Sequence, residues 1–366
     1  MTFLFAPILV FIICIFYESY RVKGIISSYI TLIISLSITF TVIAVDYSIR
    51  TTDIEVWSGE VVDWYHKEEW DEWHPEECTT STDSEGVSTT YCIPGYWEHH
   101  YAENKIKTSD NGWFYVYESP DGKKFNDSWP NDDSVLKQYW PEGTPSASLH
   151  TYKNKVQASY SIYKHKEINL NDYEGLPDYP LQVKNYINID RIIGYVPNKE
   201  EALKTLAQAN TNLNVFIPDP ENPGKTKSWK QVNLIFVNVG ENKTRDWGYA
   251  LPDYWEGGNK NDFVVSFSMN SEGYVSWVYA FSWSEVEILK LEVQDYITNL
   301  GKIEDFVPIV KKVEQLVGEK FERKQFVDFE YLSINPSDTA MWIVWILNII
   351  VLIVFIGYIE NEKTFP

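Results

Sequence analysis

The 366-residue sequence predicts an α+β membrane protein with two amino-terminal and one carboxy-terminal transmembrane helices, a β-rich domain and then an α/β sandwich domain. Three observations predict it. Uncharged apolar runs lie at the two ends: TFLFAPILVFIICIFY (2–17), GIISSYITLIISLSITFTVIAV (24–45) and TAMWIVWILNIIVLIVFIGYI (339–359). A tryptophan-rich stretch follows the first two, alternating aromatic and valine residues with charges. From about residue 181, apolar strands alternate with amphipathic helices. The expected boundaries are 1–46 for a transmembrane hairpin and 47–180 for the β-rich domain. They are 181–335 for the α/β domain and 336–366 for the last helix and a short tail.

A helix needs roughly 20 apolar residues to cross the hydrocarbon core, which the second and third runs supply and the first falls short of. The first run has neither a positive amino-terminal region nor a small-residue cleavage site, so it reads as a retained helix and not as a signal peptide. Neither of the longer runs has a polar face, which argues against core helices of a soluble protein. The connecting loop ESYRVK carries Arg21 and Lys23 and is expected in the cytoplasm. Residues from 46 onward then emerge on the other side, and the last helix returns ENEKTFP, with Lys363, to the inside. The expected setting is an inner or plasma membrane, with the bilayer as one partner and a periplasmic or extracellular ectodomain. A net charge of -21 argues against nucleic acid as a partner, because phosphates would be repelled.

Cys78 and Cys92 are the only cysteines outside the apolar runs. They bracket TTSTDSEGVSTTY, two β-prone, threonine-rich halves around the turn signal Asp83-Ser84-Glu85-Gly86. Folding that hairpin sets the cysteines opposite each other, within bridging distance. Outside the cytoplasm such a pair persists as a disulfide. Around it, EVWSGEVVDWYHKEEW and GWFYVYESPDGKKF read as exposed strands, the second ending in a Pro-Asp-Gly turn. No helical periodicity stands out before residue 180, and the expectation is a twisted β-meander or small sandwich.

Beyond it, INIDRIIGYV (187–196) reads as a strand. NKEEALKTLAQANTNL reads as a helix capped by Asn198, with Glu201 completing a capping box. QVNLIFVNVG is an apolar strand of the kind buried on both faces. RDWGYALPDYWEGG suggests a short helix, NDFVVSFSM and GYVSWVYAFS two strands, and SWSEVEILKLEVQDYITNLG a capped helix ending at Gly301. In the last helix Val307, Val310, Val313, Val317 and Phe321 recur at helical spacing.

This β-α-β-α-β-β-α-α order resembles the TPM domain over roughly residues 181–300. The resemblance is carried by QVNLIFVNVG and by YALPDYWEGGNKNDFVVSFSM, with Trp255, Gly257, Gly258, Asn261 and Asp262. It implies an exported domain tethered by a carboxy-terminal transmembrane helix. The family's glycine-rich turn after a basic strand is replaced here by GYVSWVYAFSW, so nothing tied to that turn carries over. The whole chain also resembles uncharacterised membrane proteins encoded by bacteriophages.

Three groups of residues suggest chemistry. His66, His74, His99 and His100 lie among acids in WYHKEEWDEWHPEEC and GYWEHHY, a composition suited to a divalent cation, although residues 99 and 100 of one strand must face opposite ways. PENPGKTKSWK ends like a phosphate loop, but Asp219 stands where that loop needs glycine, and Pro223 removes an amide donor. Asp190-Arg191, Asp253, Asn261 and Asp262 sit at expected strand ends and turns, where the TPM resemblance implies a cation held by Asp190 and Asp262. The metal candidates are therefore His66, His74, His99, Asp190 and Asp262, and the one cofactor suggested is a divalent cation. No catalytic motif is present. The expected function is that of a membrane-anchored accessory protein contacting another envelope or membrane protein, through exposed residues such as Trp57, Trp64, Trp70, Trp73 and Trp97. The alternative is a TPM-like metal-dependent phosphoester hydrolase.

Overall fold

The computed structural model describes residues 2–22, 24–82, 84–153, 168–220, 222–255, 257–324 and 334–362. Lys23, Asp83 and Lys363, on which parts of the topology and turn expectations rest, lie outside the described residues. The chain divides into two compact units, one of 1–54, 151–164 and 325–366, the other of 55–150 and 165–324.

The first unit holds α1 (Phe5–Arg21), α2 (Ile26–Arg50) and, from the far end of the chain, a third long helix, Asp338–Glu362. The three pack on one another. Two of them, α2 and the carboxy-terminal helix, are long and apolar enough to cross a membrane. α1 is shorter, and it runs past the apolar stretch to include Glu18, which is 4% exposed. The sequence reading puts Glu18 in the connecting loop ESYRVK; it lies instead in the last turn of α1. The Glu18 carboxylate accepts the backbone N–H groups of Ser27 (3.0 Å) and Ser28 (2.7 Å), satisfying orphan donors in the first turn of α2. Midway along, the Asn348 side chain accepts from Ser35 and donates to Thr39 (3.1 Å), tying two helices together with a buried polar layer. At another level Glu360 accepts from Tyr17 (2.5 Å) and Arg21 (2.9 Å). The outward surfaces, including Ile26, Ile33, Phe40, Trp342, Ile353 and Val354, are apolar and exposed.

The second unit begins with β strands. β1 (Thr52–Lys67), β2 (Trp70–His74) and β3 (Glu77–Thr82) run out, and β4 (Ser88–Ile93), β5 (Tyr96–His100) and β6 (Glu103–Thr108) run back. β1 pairs with β6, β2 with β5 and β3 with β4, all antiparallel, so the six form one long hairpin arm. Pro75 and Pro94, which have no N–H to give a ladder, fall at the break between its middle and outer sections. β7 (Gly112–Tyr115) and β8 (Pro145–Lys153) complete a four-stranded sheet of order β7-β6-β1-β8. Val61, Ile106, Leu136 and Trp140 form a small core there. Contrary to the expectation of strands alone, α3 (Asp133–Tyr139) lies between β7 and β8. The Asp132 side chain caps it by accepting the Ser134 N–H at 2.8 Å.

The remaining segments form a second sheet. INIDRIIGYV is not one strand: β10 (Asn188–Ile189) pairs with β9 (Val183–Lys184), while β11 (Ile192–Ile193) joins the large sheet. α4 (Lys199–Leu213) leads to the ribbon β12 (Phe216–Pro218) and β13 (Thr226–Ser228), in which the sequence that ends like a phosphate loop folds as a hairpin. Then come β14 (Asn233–Asn238), α5 (Asp246–Tyr254), β15 (Asp262–Met269), β16 (Val275–Ser282), α6 (Glu287–Leu300) and α7 (Val307–Lys320). The Asp338–Glu362 helix is α8. The sheet order is β11-β14-β15-β16, the first three parallel and the last antiparallel.

Every residue of β14 and β15 is buried, as their apolar runs require. One face, with Leu234, Phe236, Phe263, Val265 and Phe267, packs under α4, α6 and α7, where Phe306 meets both Phe236 and Phe267 edge-on or stacked. The other face carries Trp277 and Tyr279 against α5, where only glycine fits at 248: a Cβ there would lie 2.8 Å from the Trp277 ring. The capping box expected at α4 does not form. Asn198 adopts φ 55° and donates its amide to Asp305 instead, at 3.1 Å.

Candidate functional site

The arm is built as the cysteine spacing predicts. Cys78 pairs directly with Cys92, and the two form a disulfide. Cross-strand neighbours decorate both faces of the middle section. Trp73 meets Trp97 (centroids 5.2 Å) on one face, beside the pair Asp71 and His99. On the other face Trp70 stacks on His100 (4.4 Å) and His74 on Tyr96 (4.8 Å). Gly95 lets the Trp73 indole lie across the chain, since a Cβ there would fall 2.6 Å from the ring. Trp73 is 50% exposed, Trp97 67% and Tyr91 71%, so these aromatic groups cover no core.

The histidines are dispersed along the arm. His66 bonds Asn104 (2.9 Å), His74 bonds Glu98 (2.8 Å) and His100 bonds Glu72 (3.1 Å). His99 sits opposite Asp71, three residues from His74, which puts His74 and His99 on opposite faces and roughly 10 Å apart along the strand. The Asp71 carboxylate, bonded to His99 Nδ1 at 2.8 Å, raises the basicity of that imidazole. Of the three metal candidates on the arm, His66, His74 and His99, no two share a hydrogen-bond partner among the described residues.

Asp190 and Asp262 also part company. Asp190 is half-buried and bonds Lys184. Asp262 is 1% exposed and fully engaged: Oδ1 accepts from Tyr179 Oη (2.9 Å) and Asn233 Nδ2 (2.9 Å), and Oδ2 from the Asn259 N–H (2.7 Å). Burial pushes the Asp262 carboxyl up to about 7 against the pull of those donors. Arg191, 2% exposed, donates to Ser58 Oγ (2.6 Å) and Asn233 Oδ1 (3.1 Å), and burial brings it down to about 10. Asn261 donates to the Val56 carbonyl (2.8 Å). The loop Asn259-Lys260-Asn261-Asp262 closes as a turn, with the Asp262 N–H on the Asn259 carbonyl (3.0 Å). Gly258 (φ +67°) admits the carboxylate, which a Cβ would meet at 2.9 Å.

These groups lie at the amino ends of β11, β14 and β15, not at the carboxyl ends where open sheets bind ligands. They brace the sheet against β1. An aspartate with each oxygen already accepting hydrogen bonds in the interior is a structural tie, and Asp190 and Asp262 share no hydrogen-bond partner among the described residues. Tyr179, Asn233 and Ser58 are members of this knot that sequence reasoning missed. The one local signal was Asn233, a polar residue opening an otherwise apolar buried strand.

Beside the knot a cleft of about 220 Å³ is lined by Glu55, Trp57, Asp110, Lys227, Asn261 and Arg323, among others. Glu55 pairs with Arg323 and accepts from Trp57 Nε1 (3.0 Å), and Trp57 stacks on His150 at 3.9 Å. Asp110 accepts from Ser146 and Ser148. Ser58 receives Arg191 and Ser228 donates to a backbone carbonyl (3.2 Å), so neither lining serine has a base to activate it among the described residues. No family model matches the chain, and neither a curated protein nor a solved structure matches it.

Proposed function

We propose that this chain is a membrane-anchored accessory protein whose ectodomain docks on another envelope or membrane protein through its disulfide-closed arm. One observation carries the proposal: the arm holds Trp73, Trp97, Tyr91, Tyr96 and Tyr101 in solvent, each half or more exposed. Isolated exposed aromatics are ordinary, but cross-strand pairs on a rigid ribbon present large apolar area at small entropic cost, the composition of interface hot spots. The disulfide supports an oxidising compartment, and the apolar helices α2 and α8 support anchoring, with α1 as a third span. The TPM resemblance agrees with an exported domain.

The test places a photo-activated cross-linking residue at Tyr91 in the full chain in its native membranes, with Ile288, an exposed position on α6, as control. A discrete protein adduct at Tyr91 and not at Ile288 is the expected result. Adducts of equal yield and pattern at both positions, or none at Tyr91, would refute docking through the arm. Membrane-impermeant maleimide reacting with Cys78 and Cys92 only after reduction would establish the exported side. Labelling only after lysis without reduction would invert the topology.

A further inference from the structure

We propose that Glu69, His99 and Asp127 form a zinc-type divalent cation site that pins the base of the arm to the loop between β7 and α3. Each residue offers one ligand atom, and the three atoms lie within 4.8 Å of one another. Ligands on zinc at 2.0–2.1 Å in tetrahedral geometry stand about 3.4 Å apart, so closure needs movements on the order of 1 Å in exposed side chains. His99 Nε2 is already 3.6 Å from Glu69 Oε2.

The histidine is prepared for this. Its Nδ1 bonds Asp71 at 2.8 Å, which fixes the tautomer that leaves the Nε2 lone pair toward Glu69. A carboxylate behind a metal-binding histidine is the usual outer support of such sites. The backbone of Asp127 is held in place. The residue sits in a tight turn closed by reciprocal backbone bonds between Asn126 and Trp129 (2.9 and 3.2 Å), and its carboxylate reaches the Ala102 N–H at 3.5 Å. The exposure of His99 (44%) and Glu69 (48%) leaves room for water as a fourth ligand.

The placement gives the site its consequence. Glu69 lies in the two-residue gap between β1 and β2, and His99 lies one residue inside the end of β5, near the gap between β5 and β6 where the ladder of the arm is interrupted. Asp127 comes from outside the arm. A cation joining the three spans that interruption and holds the outer arm to the rest of the ectodomain. The other grouping of this kind, Glu76 with Cys78 and Cys92, has no thiolate to offer while the disulfide is intact. The inference stands whether or not the arm docks.

The experiment titrates zinc into the full chain in detergent micelles by calorimetry, with backbone hydrogen exchange followed in parallel. One zinc per chain is expected, with exchange across residues 69–74 and 96–102 slowed by the metal. His99→Ala and Asp127→Ala should each weaken binding at least about 30-fold and abolish the slowing, and Asp71→Asn should weaken it about 10- to 100-fold. His74→Ala, on the opposite face, should change neither. The proposal fails if zinc does not bind, if binding survives His99→Ala, or if Asp127→Ala leaves the slowing intact. Equal losses from His74→Ala would also overturn it. None of the four side chains is buried, and unchanged tryptophan fluorescence confirms that the variants fold.

Discussion

Asp262 makes the stability of the second unit depend on pH in an unusual sense. Most buried carboxylates are held ionised by partners and lose stability in acid; here burial dominates, and the carboxyl rises from 3.8 to about 7. Below about pH 4 it is protonated whether the chain is folded or not. Between about pH 4 and 7 only the folded chain keeps the proton, so stability falls as pH rises, by about 1.4 kcal/mol per unit. Above pH 7 the ionised group sits in the interior at a cost of about 4 kcal/mol relative to acid. Asp262→Asn removes the titration while keeping the shape. It also presents an amide N–H₂ to groups that now donate, a penalty of about 1–3 kcal/mol that does not vary with pH. The assay is urea unfolding of parent and variant, followed by tryptophan fluorescence, at pH 4.5, 6 and 8. The variant should be the less stable at pH 4.5 and gain on the parent by about 3–4 kcal/mol by pH 8. A difference that stays constant across the range would refute the reasoning. So would one that moves the other way, which would mean that Arg191 and the three donors hold Asp262 ionised.

Three further outcomes follow from other parts of the chain. Replacing Cys78 and Cys92 with serine opens a loop of sequence separation 14; at about 3 kcal/mol for such a closure, amide exchange across 77–93 should accelerate on the order of 100-fold while β14 and β15 are unchanged. Asn348→Leu removes the buried bonds to Ser35 and Thr39 and should destabilise the helical unit by about 1 kcal/mol, measured by denaturation in bicelles. Gly194→Ala puts a Cβ 2.2 Å from the Asn238 carbonyl oxygen at φ +80°, and should cost about 2 kcal/mol or more in the same urea assay.

What could be read from the residues follows how local each cause is. The outer hairpin of the arm was legible because threonine-rich halves, two cysteines and a turn signal lie within fifteen residues, and the Cys78–Cys92 register follows from that spacing. β14 was legible because a strand buried on both faces must be apolar throughout. α3 was missed because seven residues are too few for a helical period to register, and its start signal, Asp132 ahead of Ser134, resembles any turn. The split of INIDRIIGYV into β10 and β11 was hidden for another reason: two partners elsewhere in the sequence, Lys184 and Phe236, claim its two halves.

The polar residues of the sheet illustrate the same limit. Asp190 and Asp262 looked alike in sequence, both beside strands, yet one is half-buried against Lys184 and the other is sealed by Tyr179, Asn233 and Asn259. At the carboxyl end of β14, the Asn238 side chain is likewise fully engaged. Its amide donates to the Tyr195 (2.7 Å) and Met269 (3.2 Å) carbonyls, and its oxygen accepts from the Gly240 (3.0 Å) and Met269 (3.1 Å) N–H groups. With Asn233 closing one end of the strand and Asn238 the other, the polar groups of β14 are taken up in holding the sheet together. On the arm, by contrast, Trp73, Trp97 and Tyr91 keep half or more of their surface in solvent, which is the physical reason for proposing docking there.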